Sequence, residues 1–551
     1  MGVDFGTSGV RALVLDTHTG AEPASCEAGF PHWEALRYCD PPTARYRQHP
    51  QELVDSFVGA TRDTLANLPA DDRARVSAVT VVTTGSSPVP VDRRCRPLAC
   101  SSEFADDPDA MVVLWKDRSA VEEAEMIAEK TRAVGEPDFL AYSGGTYSPE
   151  WYWAKVLRII RCNERVARAA ATWLEHCDWF AALLCGVDTV ERVIRSRCGA
   201  AHKALWHSTW SGFPPAEFFR MIDPGLESVR RSMPSTTFTS DAVAGRLSPE
   251  WARRLGLPSG IPVGVGLFDA HAAALGAGVR PGVVVKVIGT SSAEMVVASP
   301  ESIGGRALPG IESQAEGSII PEAIGIEAGQ PAYGDLLAWL SDIVVKEANR
   351  LLQRQALTTA DVLASLSTRA EQRPPCDDDV IALDWFNGRR APFANARARA
   401  GIEGLTLGTD APALFSALVR AGAFGTRAIH EHLAAQNVDI AEIRVVGGIP
   451  KRAPYVIQCL SDVLNSKVGV VATEHASARG AAIMAAVAAG LYADAVSAVK
   501  VLASPIERTY TADPERARAY EQQYLRYRAL GACVDPSLPS APSPHPGTEV
   551  T

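Results

Sequence analysis

Asp4 ends a short apolar run and is followed by Gly6-Thr7-Ser8-Gly9, a tight turn with closely spaced backbone N–H groups and hydroxyls. Such a turn can form a nest for phosphate oxygens, and a carboxylate beside it can hold Mg²⁺ directly or through water. A related turn, Gly289-Thr290-Ser291-Ser292, follows the apolar run that starts at Val283. Two such turns could clamp a polyphosphate from opposite sides. Each is also readable as an ordinary hairpin whose glycine serves turn geometry. Gly447-Gly448 follows the strand pattern Ile443–Val446. Paired glycines let a ligand such as adenosine approach the backbone, or let chain segments pack closely.

Asp269 stands between an apolar strand pattern, Val263–Leu267, and the small-residue helix pattern Ala272–Gly278. It could cap the helix, since Asp satisfies free N–H groups there, or take a proton from a substrate hydroxyl. His271 reads as a packing or supporting residue rather than a metal ligand. Glu327 is framed by Ile326, Ala328 and Gly329, and Lys203 lies in Ala201-His202-Lys203-Ala204. A polyol substrate needs donors and acceptors of this kind, because an unpaired buried hydroxyl is costly. On residue type alone, surface charge is the plainer reading of both.

The elements that must position these groups follow from patterning. Residues 3–16 and 283–298 each read as a hairpin around a Gly-Thr-Ser turn, about half a chain apart, which suggests two related α/β domains. Helical patterns cover Ala120–Lys130, Trp151–Cys162, Ala413–Gln436 and Ala453–Leu464, with Leu414 and Leu418 four apart on one face. The turn-rich stretch Leu257–Pro262 places a boundary between domains 1–262 and 263–530. The segment 535–551, with Pro536, Pro539, Pro542, Pro544 and Pro546, reads as a disordered tail.

Composition narrows the class. A chain of 551 residues is too long for one core. Its formal charge of −10 argues against nucleic-acid partners, though loop amides can still bind a polyphosphate locally. There is no run of about 18 apolar residues, which speaks against a membrane span. The start lacks a signal-peptide pattern, and Gly6 occupies the position a myristoylation signal needs as Ser or Thr. A cytoplasmic location is expected. The 11 cysteines include no Cys-x-x-Cys pair, and Cys198 with His202 lacks a second ligand pair, so reduced thiols are expected rather than disulfides or zinc.

Several segments together resemble the FGGY carbohydrate kinases, and among them the L-ribulokinases. They are Val113-Leu114-Trp115-Lys116-Asp117, Lys286–Ser291, Gly325–Gln330, Asp384-Trp385-Phe386-Asn387-Gly388-Arg389-Arg390, Thr409-Asp410-Ala411-Pro412 and Gly480-Ala481-Ala482-Ile483. The likeness runs from residue 2 to about residue 530, and the Asp384–Arg390 segment is its most specific part. It implies two ribonuclease-H-like domains of the actin-like ATPase superfold, closing over a cleft. It implies transfer of the ATP γ-phosphoryl to O5 of L-ribulose, with Mg²⁺, in arabinose use. By this resemblance Asp269 is the catalytic base, and Lys203 and Glu327 contact the sugar. Gly6, Thr7, Ser8, Gly289, Thr290 and Ser291 form the phosphate turns, Gly447 and Gly448 the adenosine-side loop, and Asp4 the metal-side carboxylate. The expected partners are ATP and the sugar, with a homodimer left open. The rivals are a kinase for another pentulose or polyol, and an actin-like nucleotide binder without catalysis. Three departures from the family pattern stand out. Only three residues precede Asp4, which predicts a short or frayed first strand. Val82 and Ala453 replace an acid and an amide that the family often carries, which predicts weaker nucleotide binding.

Overall fold

The first hairpin forms as β1 (Gly2–Phe5) and β2 (Gly9–Val14), extended by β3 (Ala24–Gly29). The helix α1 (Pro50–Ala66) follows, and then β4 (Thr80–Thr83). Much later come the helix α2 (Arg197–Lys203), the two-residue strand β5 (Leu267–Phe268) and the helix α3 (Asp269–Gly276). The sheet order is β5-β4-β1-β2-β3. β1, β2 and β3 run antiparallel, while β1, β4 and β5 run parallel. This is a computed structural model, and it describes residues 1–353 and 357–539.

The second half repeats the plan. Its strands are β6 (Gly282–Ile288), β7 (Ser292–Ala298), β8 (Ser313–Glu316) and β9 (Ile324–Gln330). Two long helices, α4 (Gly334–Leu352) and α5 (Ala411–Ala435), come next. Later elements include β10 (Ile440–Val446), α6 (Gly448–Arg452), α7 (Pro454–Leu464), β11 (Val468–Val471), α8 (Ala476–Ala488), β12 (Ile506–Tyr510) and α9 (Pro514–Val534). The order is β8-β9-β7-β6-β10-β11-β12. Within it, β9-β7-β6-β10-β11 has the directions of β3-β2-β1-β4-β5. Both sheets are therefore ribonuclease-H-like, and two of them in one chain make the actin-like architecture.

Local chemistry explains the elements. The central strand β1 is buried along its whole length, so it reads as a continuous apolar run rather than an alternating one. Asp410 caps α5 by accepting the Ala413 N–H at 3.0 Å, with Pro412 in the first turn, which accounts for the Thr409–Pro412 motif. The helices α3 and α8 cross between the two sheets on small residues. A Cβ added at Gly480 would lie 1.8 Å from the Ala272 carbonyl oxygen, and one at Gly276 would lie 2.1 Å from that of Ala476. Gly480-Ala481-Ala482 is thus a packing motif. It fixes the helix whose first residue is Asp269.

Three expectations change, and the short first strand holds. The boundary at 262/263 falls inside the first sheet, because β5 pairs with β4; the change of sheet comes between Gly276 and Gly282. The single strand at Val263–Leu267 is two: Pro262–Gly264 pairs with Val243–Arg246, and β5 with β4. Gly264 and Gly266 break it, since a Cβ at either would meet Thr80 Oγ1 at 2.2 Å or Cys177 Cβ at 2.8 Å. The first strand is short but not frayed, held between β2 and β4. Of the tail, Asp535 is buried and accepts from Arg389 Nη2 and Asn395 Nδ2, each at 2.8 Å. Residues 540–551 lie outside the described residues.

Candidate active site

The turn after β1 closes with the Gly6 N–H donating to the Gly9 carbonyl at 2.9 Å. Two side chains from elsewhere hold Thr7: Trp115 Nε1 donates to its hydroxyl at 2.9 Å, and Gln48 Nε2 to its carbonyl at 2.8 Å. Trp115 belongs to the Val113–Asp117 motif, whose Asp117 accepts from the Arg47 guanidinium and, at 2.7 Å, from the Tyr46 N–H. At the end of β1, Asp4 is buried, with Arg11 Nη1 3.5 Å from its Oδ2. Its Oδ1 is buried without a hydrogen-bond partner. Burial pushes the Asp4 carboxyl up to about 6 against the pull of Arg11.

The turn between β6 and β7 is closed one residue tighter: the Gly289 N–H donates to Ser291 O, two residues on, at 2.9 Å. The start of α4 is tied to it, because the Tyr333 N–H donates to Thr290 O at 2.8 Å and the Gly334 N–H to Gly289 O at 3.1 Å. Gly289 and Thr290 are exposed. Behind the turn Lys286 is fully buried and donates to Ser292 Oγ and Glu294 Oε1, each at 2.9 Å, and to Gln330 Oε1 at 3.0 Å. Lys286 therefore braces the hairpin from within. Gly447 and Gly448 divide the two readings of a glycine pair. Gly447 has φ 110°. A Cβ there would lie 2.3 Å from Ile288 O, so close packing on β6 requires glycine. At Gly448 a Cβ would meet nothing within 4 Å.

Asp269 is the first residue of α3, not its cap: Phe268 holds the cap position. The Asp269 Oδ1 accepts the Ala270 N–H at 2.7 Å. Burial, then the charge of Asp4, push this half-buried carboxyl up to about 8, with Glu327 adding to the rise. A carboxylate so destabilised has gained basicity close to neutral pH, as a general base requires.

Lys203 and Glu327 are not surface charges. Lys203 Nζ lies 2.9 Å from Glu327 Oε2 and 3.2 Å from Glu312 Oε1, over the Trp151 ring at 5.1 Å. Burial alone would raise the Glu327 carboxyl, but Lys203, with His271 and His202 behind it, holds it well below the usual range. His202 Nδ1 and His271 Nε2 lie 3.5 and 3.7 Å from the same Oε2. His202, His271 and Glu327 have metal-like proximity, with ligand atoms within 4.8 Å of one another. The ammonium of Lys203 already neutralises that carboxylate, so the group is a buried ion pair backed by two imidazoles. Burial lowers both histidines, and the Lys203 ammonium adds to the fall.

Sequence reasoning missed Glu312, Lys286 and the bracing role of Trp115. No local signal marks Glu312. Its partner is 109 residues away. Val82, expected beside the nucleotide, is buried in the apolar cluster with Leu13, Leu267 and Phe268. Ala453 is the cap residue of α7, without a side-chain capping bond.

Two ribonuclease-H-like sheets, each presenting a Gly-Thr-Ser turn, with carboxylates and a lysine between them, define an actin-like kinase architecture. The chain belongs to the FGGY family of carbohydrate kinases: the N-terminal domain of that family matches residues 1–276 and its C-terminal domain residues 284–489. It is 40% identical over 538 residues to a ribulokinase of Vibrio parahaemolyticus, covering 96% of this chain and 95% of that one. It is 33% identical to a ribulokinase of Halalkalibacterium halodurans, covering 96% and 94%. Among solved structures, xylulose kinase from Rhodospirillum rubrum superposes with a TM-score of 0.74 at 23% identity, over 97% of this chain and 99% of that one. That likeness concerns the fold. No helix among the described residues is long and apolar enough to cross a membrane.

Proposed function

We propose that the chain transfers the γ-phosphoryl of ATP to O5 of L-ribulose, in the cytoplasm and as a step of arabinose use. The observation that carries this is the buried Glu327–Lys203 pair at 2.9 Å, together with Asp269, whose carboxyl feels the charges of both Asp4 and Glu327, in a chain that carries two Gly-Thr-Ser turns. The names of the full-length relatives, ribulokinases, support ribulose as the sugar.

Phosphoryl transfer needs alignment and charge neutralisation more than covalent chemistry from the protein. The turns Gly6–Ser8 and Gly289–Ser291 meet the phosphates through the N–H groups of Thr7, Ser8, Thr290 and Ser291, since those of Gly6 and Gly289 close the turns themselves, and the loop at Gly447-Gly448 takes the adenosine side. Asp269 accepts the proton of the attacking hydroxyl; Lys203 and Glu327 hold the remaining hydroxyls. Domain closure keeps water from competing as acceptor. Asp4 suits a hard divalent cation: its Oδ1 is buried without a partner, and its charge raises the Asp269 carboxyl. Asp4 would hold Mg²⁺ directly or through water, and the ion supplies charge neutralisation on the phosphates.

A coupled assay of ADP release across L-ribulose, D-ribulose, xylulose and the pentitols tests the reading. The highest kcat/KM is expected for L-ribulose. Higher kcat/KM for another sugar overturns the assignment of substrate. ATP binding without ADP release on any of them overturns the kinase reading.

A further inference from the structure

At the junction of the two domains lies a cavity of about 60 Å³. Tyr147, Glu150 and Trp151 line it from the N-terminal domain, and Glu312, Asn387 and Arg390 from the C-terminal one. Charge is dense here. Arg390 Nη2 donates to Glu150 Oε2 at 2.8 Å, and Arg118 lies 3.9 Å from the other oxygen of Glu150. Arg118 also donates to the Asn387 carbonyl at 2.8 Å. Lys203 links the cavity to the site already described, through its 3.2 Å contact with Glu312. Burial raises the Glu312 carboxyl, and Lys203 and Arg390 oppose the rise.

The Asp384–Arg390 motif, otherwise unused by the mechanism, builds this place. Asp384 accepts from Gln330 Nε2 at 2.8 Å and from Tyr527 Oη at 2.7 Å, which fixes the start of the loop. Arg389 is pinned to Asp535 at 2.8 Å. Gly388 has φ 81° and would press a Cβ to 3.0 Å from two backbone carbonyls, so the turn presenting Arg390 requires glycine. The volume is too small for a pentulose. It suits one end of a sugar, such as a hydroxymethyl group, or a few waters at about 10–15 Å³ of such space each. A hydroxyl can donate to a carboxylate and accept from a guanidinium at once, whereas a methyl of the same size desolvates these charges and bonds to neither.

We propose that this cavity is the subsite for the terminal hydroxymethyl of a 2-ketose, at the end remote from the phosphorylated carbon. Arg390, Glu150 and Glu312 are its specificity-determining residues. The inference rests on the kinase reading of the cleft. The test compares L-ribulose with 1-deoxy-L-ribulose in the wild type and in Arg390→Gln, Glu312→Gln and Arg390→Lys, with thermal denaturation of each protein. The wild type is expected to lose on the order of 10²-fold or more in kcat/KM on the 1-deoxy sugar. In Arg390→Gln and Glu312→Gln that ratio is expected to shrink to a few-fold, with KM for ATP unchanged, and Arg390→Lys is expected to restore part of it. A wild type indifferent to the 1-hydroxyl overturns the subsite. So do variants that lose both sugars equally, since that marks a strut between domains. D-Ribulose and xylulose, each paired with its 1-deoxy form, separate the two readings. Inactivity on L-ribulose alone overturns the choice of sugar, and the 1-hydroxyl ratio on an active ketose still decides the subsite. Turnover of no ketose overturns both.

Discussion

Lys203 places its ammonium 2.9 Å from the Glu327 carboxylate, and the pair joins helix α2 of the N-terminal domain to strand β9 of the C-terminal domain. Removing one partner of a buried pair leaves an uncompensated charge and costs about 3–5 kcal/mol. Lys203→Ala exposes two carboxylates to each other, Glu312 and Glu327, whereas Glu327→Ala leaves the lysine its contact with Glu312. The larger fall in melting temperature is therefore expected for Lys203→Ala. Both variants should lose sugar turnover while ATP binding survives. The double change Lys203→Met/Glu327→Leu should recover stability without recovering activity. Recovery of both would reduce the pair to a structural link.

Gly480 sets how closely α8 approaches the helix that carries Asp269. Its added Cβ would meet the backbone of Ala272 at 1.8 Å, and backbone cannot swing aside as a side chain can. Gly480→Ala should cost about 1–3 kcal/mol or more and lower kcat by displacing α3. Gly59, in α1, is the control: a Cβ there meets nothing within 4 Å. Gly59→Ala should stabilise by roughly 0.5–1 kcal/mol with kcat unchanged. Equal melting temperatures for the two variants would contradict the close-packing account.

The two Gly-Thr-Ser hairpins and the paired α/β plan were legible in the sequence because turn chemistry and apolar runs are local. Asp269 was legible because a carboxylate between a strand and a helix is conspicuous. The bracing of the site was not. Lys286 reaches Gln330 across two strands, Asp384 reaches Tyr527 over 143 residues, and nothing local distinguishes Glu312 from a surface acid. The glycine pair was ambiguous for a physical reason: Gly447 and Gly448 do different things. Pro-rich composition hid Asp535, whose order comes from distant Arg389.

Ala453 illustrates a residue whose place changes its meaning. It occupies the cap of α7 with no side chain to satisfy the helix N–H groups. Ala453→Asn should raise stability by about 0.5–2 kcal/mol, read by thermal denaturation without nucleotide. A lower KM for ATP with no gain in melting temperature would instead put the residue at the nucleotide.

The pH dependence follows from Asp269. Its carboxyl is raised to about 8 by burial and Asp4, so the folded protein holds a proton that the unfolded chain releases from about 4 upward. This group's contribution favours folding at low pH and is lost progressively as pH rises through that window. At pH 8 and without ligands, Asp269→Asn should be at least as stable as the wild type. Activity should run the other way, rising with pH as the base loses its proton. A ligand-free wild type markedly more stable than Asp269→Asn at pH 8 would contradict the assigned shift.

The most direct test of Asp269 as the base is kcat of Asp269→Asn on L-ribulose and ATP, measured beside its affinity for both. Asn keeps the shape and can still accept the Ala270 N–H, but it cannot take the proton. The expected result is a fall in kcat of about 10²–10⁴, with binding of both substrates retained. A variant that turns over at the wild-type rate would contradict the assignment of Asp269 as the base.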